Sequence, residues 1–218
     1  MIKIFAYTLL SFMALNACNN EDKTILFNSE NLDNWTIVLP DSVNEDNVFR
    51  VENGNLYVSG IPNGYIRTNE SYSNYKLHLE WRWVEEPKNS GVLLNIHGQD
   101  NVWPSCIEAQ LKSENAGDFV MMGKGAGITV NEKLYLIEDP DTRFMRIEKI
   151  EKSSENPAGE WNSYDISVTD KSIKLVVNGV TQNFGKNPTY TEGFIGLQSE
   201  GGPMEFRNIY LTPYNLDK

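Results

Sequence analysis

The sequence predicts an all-β domain, either a sandwich or a barrel, and three observations support this prediction. From Thr24 onward, short segments alternate apolar and polar residues, as strands do when one face is buried. Turns rich in Gly, Asn, Asp and Pro separate these segments at short intervals. No long apolar pattern with the 3.6-residue period of a helix competes with them.

The predicted strands run from the first quarter of the chain to its end. The clearest turn signals between them are an Asn-Gly pair at Asn53, the segment 169–171, and a second Asn-Gly pair at Asn178. Residues 114–155 are predicted to be rich in loops. The strand-forming segments are 49–60, 75–84, 90–98, 105–112, 161–184, 193–201 and 204–213.

The N-terminus resembles a bacterial export signal. Lys3 precedes an apolar run from Ile4 to Leu15 that is too short to span a bilayer. The letters LNAC resemble a lipobox, in which the peptidase cleaves before the cysteine that then carries the lipid, here Cys18. We therefore predict a lipid-anchored protein of the cell envelope, on the periplasmic or outer-membrane face. Its predicted parts are a signal peptide over 1–17, a lipidated tether over 18–23 and one domain over 24–218.

Charge and cysteine content exclude several kinds of partner. The chain has 19 Lys and Arg against 30 Asp and Glu, a net charge of −11, and no basic cluster. Nucleic acids and anionic lipid surfaces are bound through clustered cations, so neither is an expected partner. With Cys18 lipidated, Cys106 has no intrachain partner, and we predict a buried thiol there rather than a catalytic one.

Strand parity predicts a polar face. In segment 75–84 the apolar residues alternate with Glu80 and Arg82, and in segment 105–112 they alternate with Glu108 and Gln110. By the same rule Asn95 and His97 share a face, and Gln198 has the parity opposite to that of its apolar neighbours. We expect these side chains to converge on one concave sheet, above a core that contains Leu79, Trp81, Leu94 and Ile107.

The residue types on this face indicate a polyhydroxylated ligand. A merely solvated face of an acidic protein would carry mostly Lys, Glu, Thr and Ser, whereas this one concentrates His, Arg, Asn and Gln. These side chains hold donors and acceptors in defined geometry, which suits sugar hydroxyls. Trp103 and Trp161 at its rim could stack on a sugar ring. Glu205 and Arg207 are assigned to structural ion pairs.

The motifs of the chain resemble those of the 3-keto-disaccharide hydrolase family, over nearly all of the predicted mature chain and in the right order. This resemblance implies a concanavalin-like jelly-roll sandwich that acts on a glycoside. Ser29 departs from the pattern, since a glycine usually follows the Asn of the first motif, and this change affects a turn. The segments that carry the resemblance are LFNSENLDNW, FRVENGNLYV, YKLHLEWRW, NSGVLLNI, WPSCIEAQL, NPAGEWNSYDISV, LVVNGV and GFIGLQSEGGPMEFRNIYL.

The resemblance implies a reaction that needs only one carboxylate base. A ketone at C3 acidifies the hydrogen on C2, so a base can remove that proton while the group on C1 leaves, after which water adds. Glu108 beside the neutral Gln110 suits this role, because a neutral neighbour imposes no like-charge repulsion. Arg82 is the expected partner of the enolate oxygen, and Glu80 or His97 is the expected acid.

Three alternatives stay open at this point. Glu80 and Glu108 could form the carboxylate pair of an ordinary retaining glycosidase. His97 with Glu108 could hold a divalent metal, although two ligands are too few to establish one. The protein could also be a surface lipoprotein that captures oligosaccharide without cleaving it.

The N-terminal motif yields a direct test. The membrane fraction should contain the protein with a diacylglyceryl group on Cys18, which intact-mass analysis would detect. Cys18→Ala removes the acceptor thiol, so it should release the protein from membranes. Recovery of this variant in membranes at the wild-type level would contradict the prediction.

Overall fold

Two antiparallel β-sheets pack face to face in the computed structural model, which describes residues 23–214. The predicted signal peptide and Cys18 lie outside these residues. Within the described chain, no helix is long and apolar enough to cross a membrane. The only helical element in this part is a 3-10 turn at Glu45–Asn47. The all-β prediction is confirmed.

The larger sheet has ten strands, and β7 (Tyr75–Trp83) and β18 (Met204–Pro213) lie near its middle. All strands are numbered in chain order. The order of neighbouring strands across this sheet is β3 (Phe49–Glu52), β4 (Asn55–Val58), β18 (Met204–Pro213), β7 (Tyr75–Trp83), β14 (Asn162–Val168), β15 (Ser172–Val177), β16 (Val180–Lys186), β11 (Gly127–Val130) and β12 (Lys133–Leu136), with β1 (Thr24–Ile25) beside β18.

The smaller sheet has eight strands, and its outward face carries the cleft described below. The order of neighbouring strands across this sheet is β13 (Phe144–Ile147), β10 (Phe119–Met122), β9 (Ser105–Gln110), β8 (Gly91–His97), β17 (Glu192–Ser199), β5 (Gly64–Thr68) and β2 (Trp35–Val38), with β6 (Tyr72–Ser73) beside β17.

The alternation seen in the sequence produces the core between the sheets. In β7 every second side chain from Tyr75 to Trp83 is buried, whereas the residues between them are only partly buried or exposed. The predicted core residues Leu79, Trp81, Leu94 and Ile107 all belong to the main buried cluster, which is therefore confirmed. Complete burial of a large apolar side chain contributes about 1.5–3 kcal/mol, so this cluster is the main source of stability.

Tight turns form where the sequence signals them. Asn53 and Gly54 have φ angles of 50° and 77°, and the turn at Asn178 and Gly179 is similar. Both turns join neighbouring antiparallel strands, as type I′ hairpins require. Ser29 adopts a φ of 66°, a conformation that glycine tolerates better, and this explains why a glycine is usual at that turn.

Residues 114–155 are rich in loops, as predicted, but four short strands, β10 to β13, also lie in this range and were not foreseen from the sequence. Alternation does not reveal β10, because all four of its side chains are buried and both of its faces are covered.

Candidate functional site

A cleft of about 610 Å³ opens on the outward face of the smaller sheet. Strands β9, β10 and β17 form its floor, while β13 and the loops around it form a wall. Its lining mixes carboxylates, carboxamides, cations and aromatic rings. These residues are Asn89, Trp103, Glu108, Gln110, Lys112, Val120, Met122, Gly123, Pro140, Thr142, Arg143, Phe144, Arg146, Gln198 and Glu200.

Strand β9 places Glu108 and Gln110 in this cleft, as their parity predicts. Ile107 and Ala109 point inward and belong to the core. Cys106, on the same side as Glu108, joins a second apolar cluster beneath the cleft. Gln198 and Trp103 line the same cleft, so these four predicted site residues do come together.

The side chain of Glu108 packs against the backbone of Gly91, where no Cβ atom is present. Gly91 pairs with Gln110 in the neighbouring strand, two residues from the pair formed by Leu93 and Glu108. A Cβ atom added to Gly91 would lie 2.1 Å from Oε1 of Glu108 and 2.6 Å from its Cδ. Any larger residue would therefore displace the carboxyl group, and a glycine at this position is explained by packing.

The carboxyl group of Glu108 is buried without a partner. Its side chain is 3% exposed, and Oε1 finds no hydrogen-bond partner among residues 23–214. Burial raises the pKa of Glu108 well above its usual range, and the nearby charges of Glu200 and Asp118 raise it further. The group therefore holds its proton to a higher pH than an ordinary glutamate, and it becomes a stronger base once ionised.

Glu200 supplies a second carboxyl group to the cleft. Burial raises its pKa as well. Hydrogen bonds from the side chains of Asn89 and Gln198, together with the charge of Lys112, oppose that rise. Glu108 and Glu200 are thus two coupled carboxyl groups with unequal surroundings, one without hydrogen bonds and the other supported by two amides.

Two further acceptors in the cleft lack partners. The side-chain oxygens of Asn89 and Gln198 are buried and, like Oε1 of Glu108, receive no hydrogen bond from the described chain. An unpaired buried acceptor costs about 1–3 kcal/mol, so three in one cleft favour a ligand that brings several donors. Sugar hydroxyl groups are such donors.

Gln110 presents a donor rather than an acceptor. Its Oε1 accepts hydrogen bonds from the backbone N–H groups of Leu111 and Lys112, each at 2.8 Å. The amide nitrogen is therefore left to donate into the cleft, close to Glu108. This geometry agrees with the prediction of a neutral neighbour for the carboxyl group.

The loop between β8 and β9 holds Trp103 at the cleft. Asp100 on this loop accepts two hydrogen bonds from Arg67, at 2.8 and 2.7 Å, and one from the hydroxyl of Tyr65 at 3.2 Å. Asn101 then accepts the backbone N–H of Trp103 at 3.0 Å. The indole remains 44% exposed, and Phe144, which also lines the cleft, is 64% exposed.

The prediction that Glu80 and Arg82 share this face is wrong. Both lie on β7, in the larger sheet, and their side chains point outward on the opposite side of the sandwich. Arg207 donates to Glu80 at 2.6 Å, and Arg82 donates to Glu205 at 2.7 Å. Burial acts to raise the pKa of Glu80, but hydrogen bonds from Asn208 and Arg207 together lower it. The structural role predicted for Glu205 and Arg207 is confirmed.

Trp161 also lies on the far face. The guanidinium carbons of Arg82 and Arg207 are 4.7 and 3.9 Å from its ring centroid. The ring therefore supports an ion-pair cluster on the larger sheet, and it does not line the cleft.

A β-bulge removes Asn95 and His97 from the predicted face. The register of β8 on β9 shifts between Leu94 and His97, and Asn95 has a φ of 54°. Asn95 turns into the interior, where it accepts a hydrogen bond from Tyr75 at 3.3 Å and donates to the backbone oxygen of Tyr190 at 2.8 Å. His97 is exposed and stacks on the Tyr190 ring, 5.0 Å away, outside the cleft.

This separation also removes the metal pair proposed from the sequence, because His97 and Glu108 do not meet. Within residues 23–214, no three His, Cys, Asp or Glu side chains are grouped closely enough to hold a metal ion. Cys106 is free and fully buried, as predicted, and burial raises the pKa of its thiol.

Several cleft residues were missed by the sequence reasoning. The alternation that places Gln198 outward continues to Glu200 two positions later, so parity could have found the second carboxyl group. The wall residues lie in the range predicted to be rich in loops, and no local signal marks them as part of a wall. They are Arg143, Phe144 and Arg146.

Solved structures share this architecture. Two proteins from Parabacteroides distasonis ATCC 8503, described provisionally as glycosyl hydrolases, match with TM-scores of 0.63 and 0.61 and sequence identities of 20% and 23%. These matches cover 88% of this chain in both cases, and 94% and 98% of the two proteins. A β-glucanase from Bacillus licheniformis matches with a TM-score of 0.57 and 12% identity, over 87% of this chain and 96% of its own. The concanavalin-like jelly-roll fold is thus confirmed.

A family model that matches the sequence over the whole sandwich identifies the family of the chain. The chain belongs to the 3-keto-alpha-glucoside-1,2-lyase-like domain family, whose model matches residues 22–212. This match confirms the resemblance found in the motifs. A search of curated proteins found no significant match.

The contact between Gly91 and Glu108 can be tested by one methyl group. Gly91→Ala should keep the fold but displace the carboxyl group, so Glu108 should lose its buried environment and its pKa should fall. A carboxyl-specific NMR titration would measure this change. Gly202→Ala is the matched control, since Gly202, like Gly91, has no left-handed φ, and the atoms nearest to a Cβ there belong to the flexible Lys88 side chain, at 3.3 Å. An unchanged pKa in a folded Gly91→Ala variant would contradict the geometry.

Proposed function

We propose that the protein cleaves 3-keto-glycosides by removing the proton on C2 and expelling the group on C1. The single observation that carries this proposal is the buried, unpartnered carboxyl group of Glu108 in the cleft of a chain from this lyase-like family. The substrate is a glycoside or oligosaccharide, and the lipid anchor predicted at Cys18 would hold the enzyme at the cell envelope.

Glu108 takes the proton from C2 in this mechanism. The electrons of the C2–H bond form an enolate, whose charge rests on the oxygen at C3. A raised pKa makes the ionised carboxylate a stronger base for this weakly acidic hydrogen. The amide nitrogen of Gln110 and the ammonium of Lys112, both lining the cleft, are placed to stabilise the developing charge.

Glu200 supplies the second proton. As the C1–O bond breaks, the departing oxygen needs a proton. The active form of the pair holds one proton, on Glu200, while Glu108 is ionised, and burial favours this proton because it raises the pKa of Glu200. The products are the protonated leaving group and an unsaturated keto sugar, to which water can then add. Glu200 thus replaces the predicted acids Glu80 and His97, neither of which lines the cleft.

Sugar recognition fits the rest of the cleft. Asn89 and Gln198 offer acceptors to hydroxyl groups, and Trp103 offers a flat apolar surface to a ring. A carbohydrate-binding module from Bacillus subtilis, CBM66, shares the fold with a TM-score of 0.54 and 10% identity, over 81% of this chain and 93% of its own. A binding role without catalysis is therefore the second candidate function.

The mechanism predicts a strong preference for the keto sugar. The purified protein should cleave a 3-keto-glycoside far faster than the parent glycoside, because only the ketone acidifies the C2 hydrogen. Glu108→Gln should lower turnover by about 100-fold or more, the usual scale for losing a general base. Deuterium at C2 should slow the reaction where proton removal limits the rate.

Glu80→Gln is the matched control, because this residue lies on the opposite outer face and should leave turnover nearly unchanged. Full activity in Glu108→Gln, or equal cleavage of the keto and parent sugars, would contradict the mechanism. Sugar binding with no cleavage of any keto-glycoside would favour the binding role.

The pH profile provides an independent test of the two carboxyl groups. Activity should rise when the pair of Glu108 and Glu200 loses its first proton, because the reaction needs one ionised carboxylate, and burial raises the pKa of both groups. Activity should fall again when the pair loses its second proton, because no acid then remains for the leaving group.

Glu200→Gln leaves Glu108 as the only titrating member of the pair, so the bell-shaped profile of kcat/KM against pH should become a single rise without an alkaline fall. Glu192→Gln, an exposed change on the same strand outside the cleft, should move neither limb. An alkaline fall that persists unchanged in Glu200→Gln would show that Glu200 is not the second titrating group.

A further inference from the structure

The cleft has an uneven distribution of charge. The acceptors of the cleft lie near the end of β9 that carries Gln110. Gly91 pairs with Gln110, and the β-bridge between Asn89 and Glu200 lies just beyond this pair. These acceptors are Asn89, Gln198 and Glu200. At the other end of β9, Cys106 pairs with Met122, and Met122 pairs with Phe144 on the wall strand β13. This second end therefore contains the rings of Trp103 and Phe144 and the guanidinium group of Arg143, whereas Arg146 lies level with Glu108.

Arg143 is a free cation at this second end. It is exposed, lines the cleft, and forms no ion pair with any acid in residues 23–214. Asp139 and Asp141 lie on the same loop but do not line the cleft. Arg146 differs, because it donates to the buried Asp118 and to Asn115 and is held in place by them. An unpaired guanidinium facing a cleft is unusual in a chain with a net charge of −11.

Two exposed rings accompany this cation. Phe144 follows Arg143 directly and is 64% exposed, and Trp103 is 44% exposed on a loop held by Asp100. Large exposed apolar side chains that line one cleft indicate a ring-shaped ligand part. A planar or chair-shaped ring that lies against them would bring a substituent within reach of the Arg143 guanidinium.

We infer that Trp103, Arg143 and Phe144 form a subsite for the leaving group, and that this subsite selects a ring carrying a carboxylate. The identity of this ring as the leaving group rests on the proposed function, in which Glu108 and Glu200 act on the other sugar at the acceptor end. A guanidinium holds a carboxylate through two parallel hydrogen bonds, which gives both affinity and orientation. The carboxylate belongs either to an acidic sugar or to an aromatic acid joined to glucose.

The experiment compares acids with their neutral esters. The probes are a glucosyl-glucuronic acid disaccharide, 4-carboxyphenyl α-glucoside, and the methyl ester of each. Calorimetric titrations use the Glu108→Gln protein, so that no turnover interferes. Each favoured acid should bind about tenfold or more tightly than its ester, the scale of a charge-assisted hydrogen bond, and this difference should shrink as salt is added.

Arg143→Gln should abolish the difference between acid and ester. Arg50→Gln, an arginine on the larger sheet, is the matched control and should preserve it. Preference for the acid in the disaccharide pair alone identifies an acidic sugar, and preference in the phenyl pair alone identifies an aromatic acid. Equal binding of acid and ester in both pairs overturns the inference, as does a preference that survives in Arg143→Gln.

These outcomes are independent of catalysis. If the charge preference is found but no keto-glycoside is cleaved, the subsite stands and the proposed reaction falls. If keto-glycosides are cleaved but acids and esters bind equally, the reaction stands and the subsite falls.

Discussion

The carboxyl group of Glu108 rests on the bare backbone of Gly91, and the other features of the cleft depend on this contact. A carboxylate moved from water into a protein interior loses several kcal/mol of solvation unless charges or donors replace it. The described chain provides no donor to its Oε1, and two further carboxyl groups, Glu200 and Asp118, act on it. Such a group is stable when it holds a proton, and it becomes a reactive base when it loses that proton near a ligand.

Apolar burial in the two sheets offsets the energetic cost of this buried carboxyl group. The main core lies between them and supplies most of the apolar burial, whereas a second apolar cluster, which includes Tyr65, Leu93 and Cys106, lies under the cleft on the outward side of the smaller sheet. Strand β9 is therefore covered on both faces, and nearly all of its side chains are buried. This double cover keeps water away from Glu108 and sets the low-polarity environment that its raised pKa reflects.

Paired carboxyl groups with raised pKa values are more typical of a catalytic site than of a binding surface. A binding protein needs acceptors, donors and stacking rings. Asn89, Gln198 and Trp103 can supply these without any carboxyl group whose pKa is shifted. The cost of keeping Glu108 buried and unpaired brings no benefit to such a protein. In an eliminating enzyme the same cost is useful, because proton transfer requires one group that accepts and one that donates near neutral pH.

The sequence by itself determined the class of fold, the turns, the inward set of core residues, and the position of Glu108 and Gln110 on an outward face. These features depend on local alternation and on turn chemistry, which neighbouring residues specify. Parity correctly placed Glu80 and Arg82 outward on their strand, but it cannot state which sheet contains that strand, and the structure puts them behind the core. The inversion of Asn95 follows from a bulge, which a regular two-residue period cannot show. Glu200, Arg143 and the backbone of Gly91 join Glu108 only because strands distant in the sequence pair across the smaller sheet, and this pairing is a property of the tertiary structure.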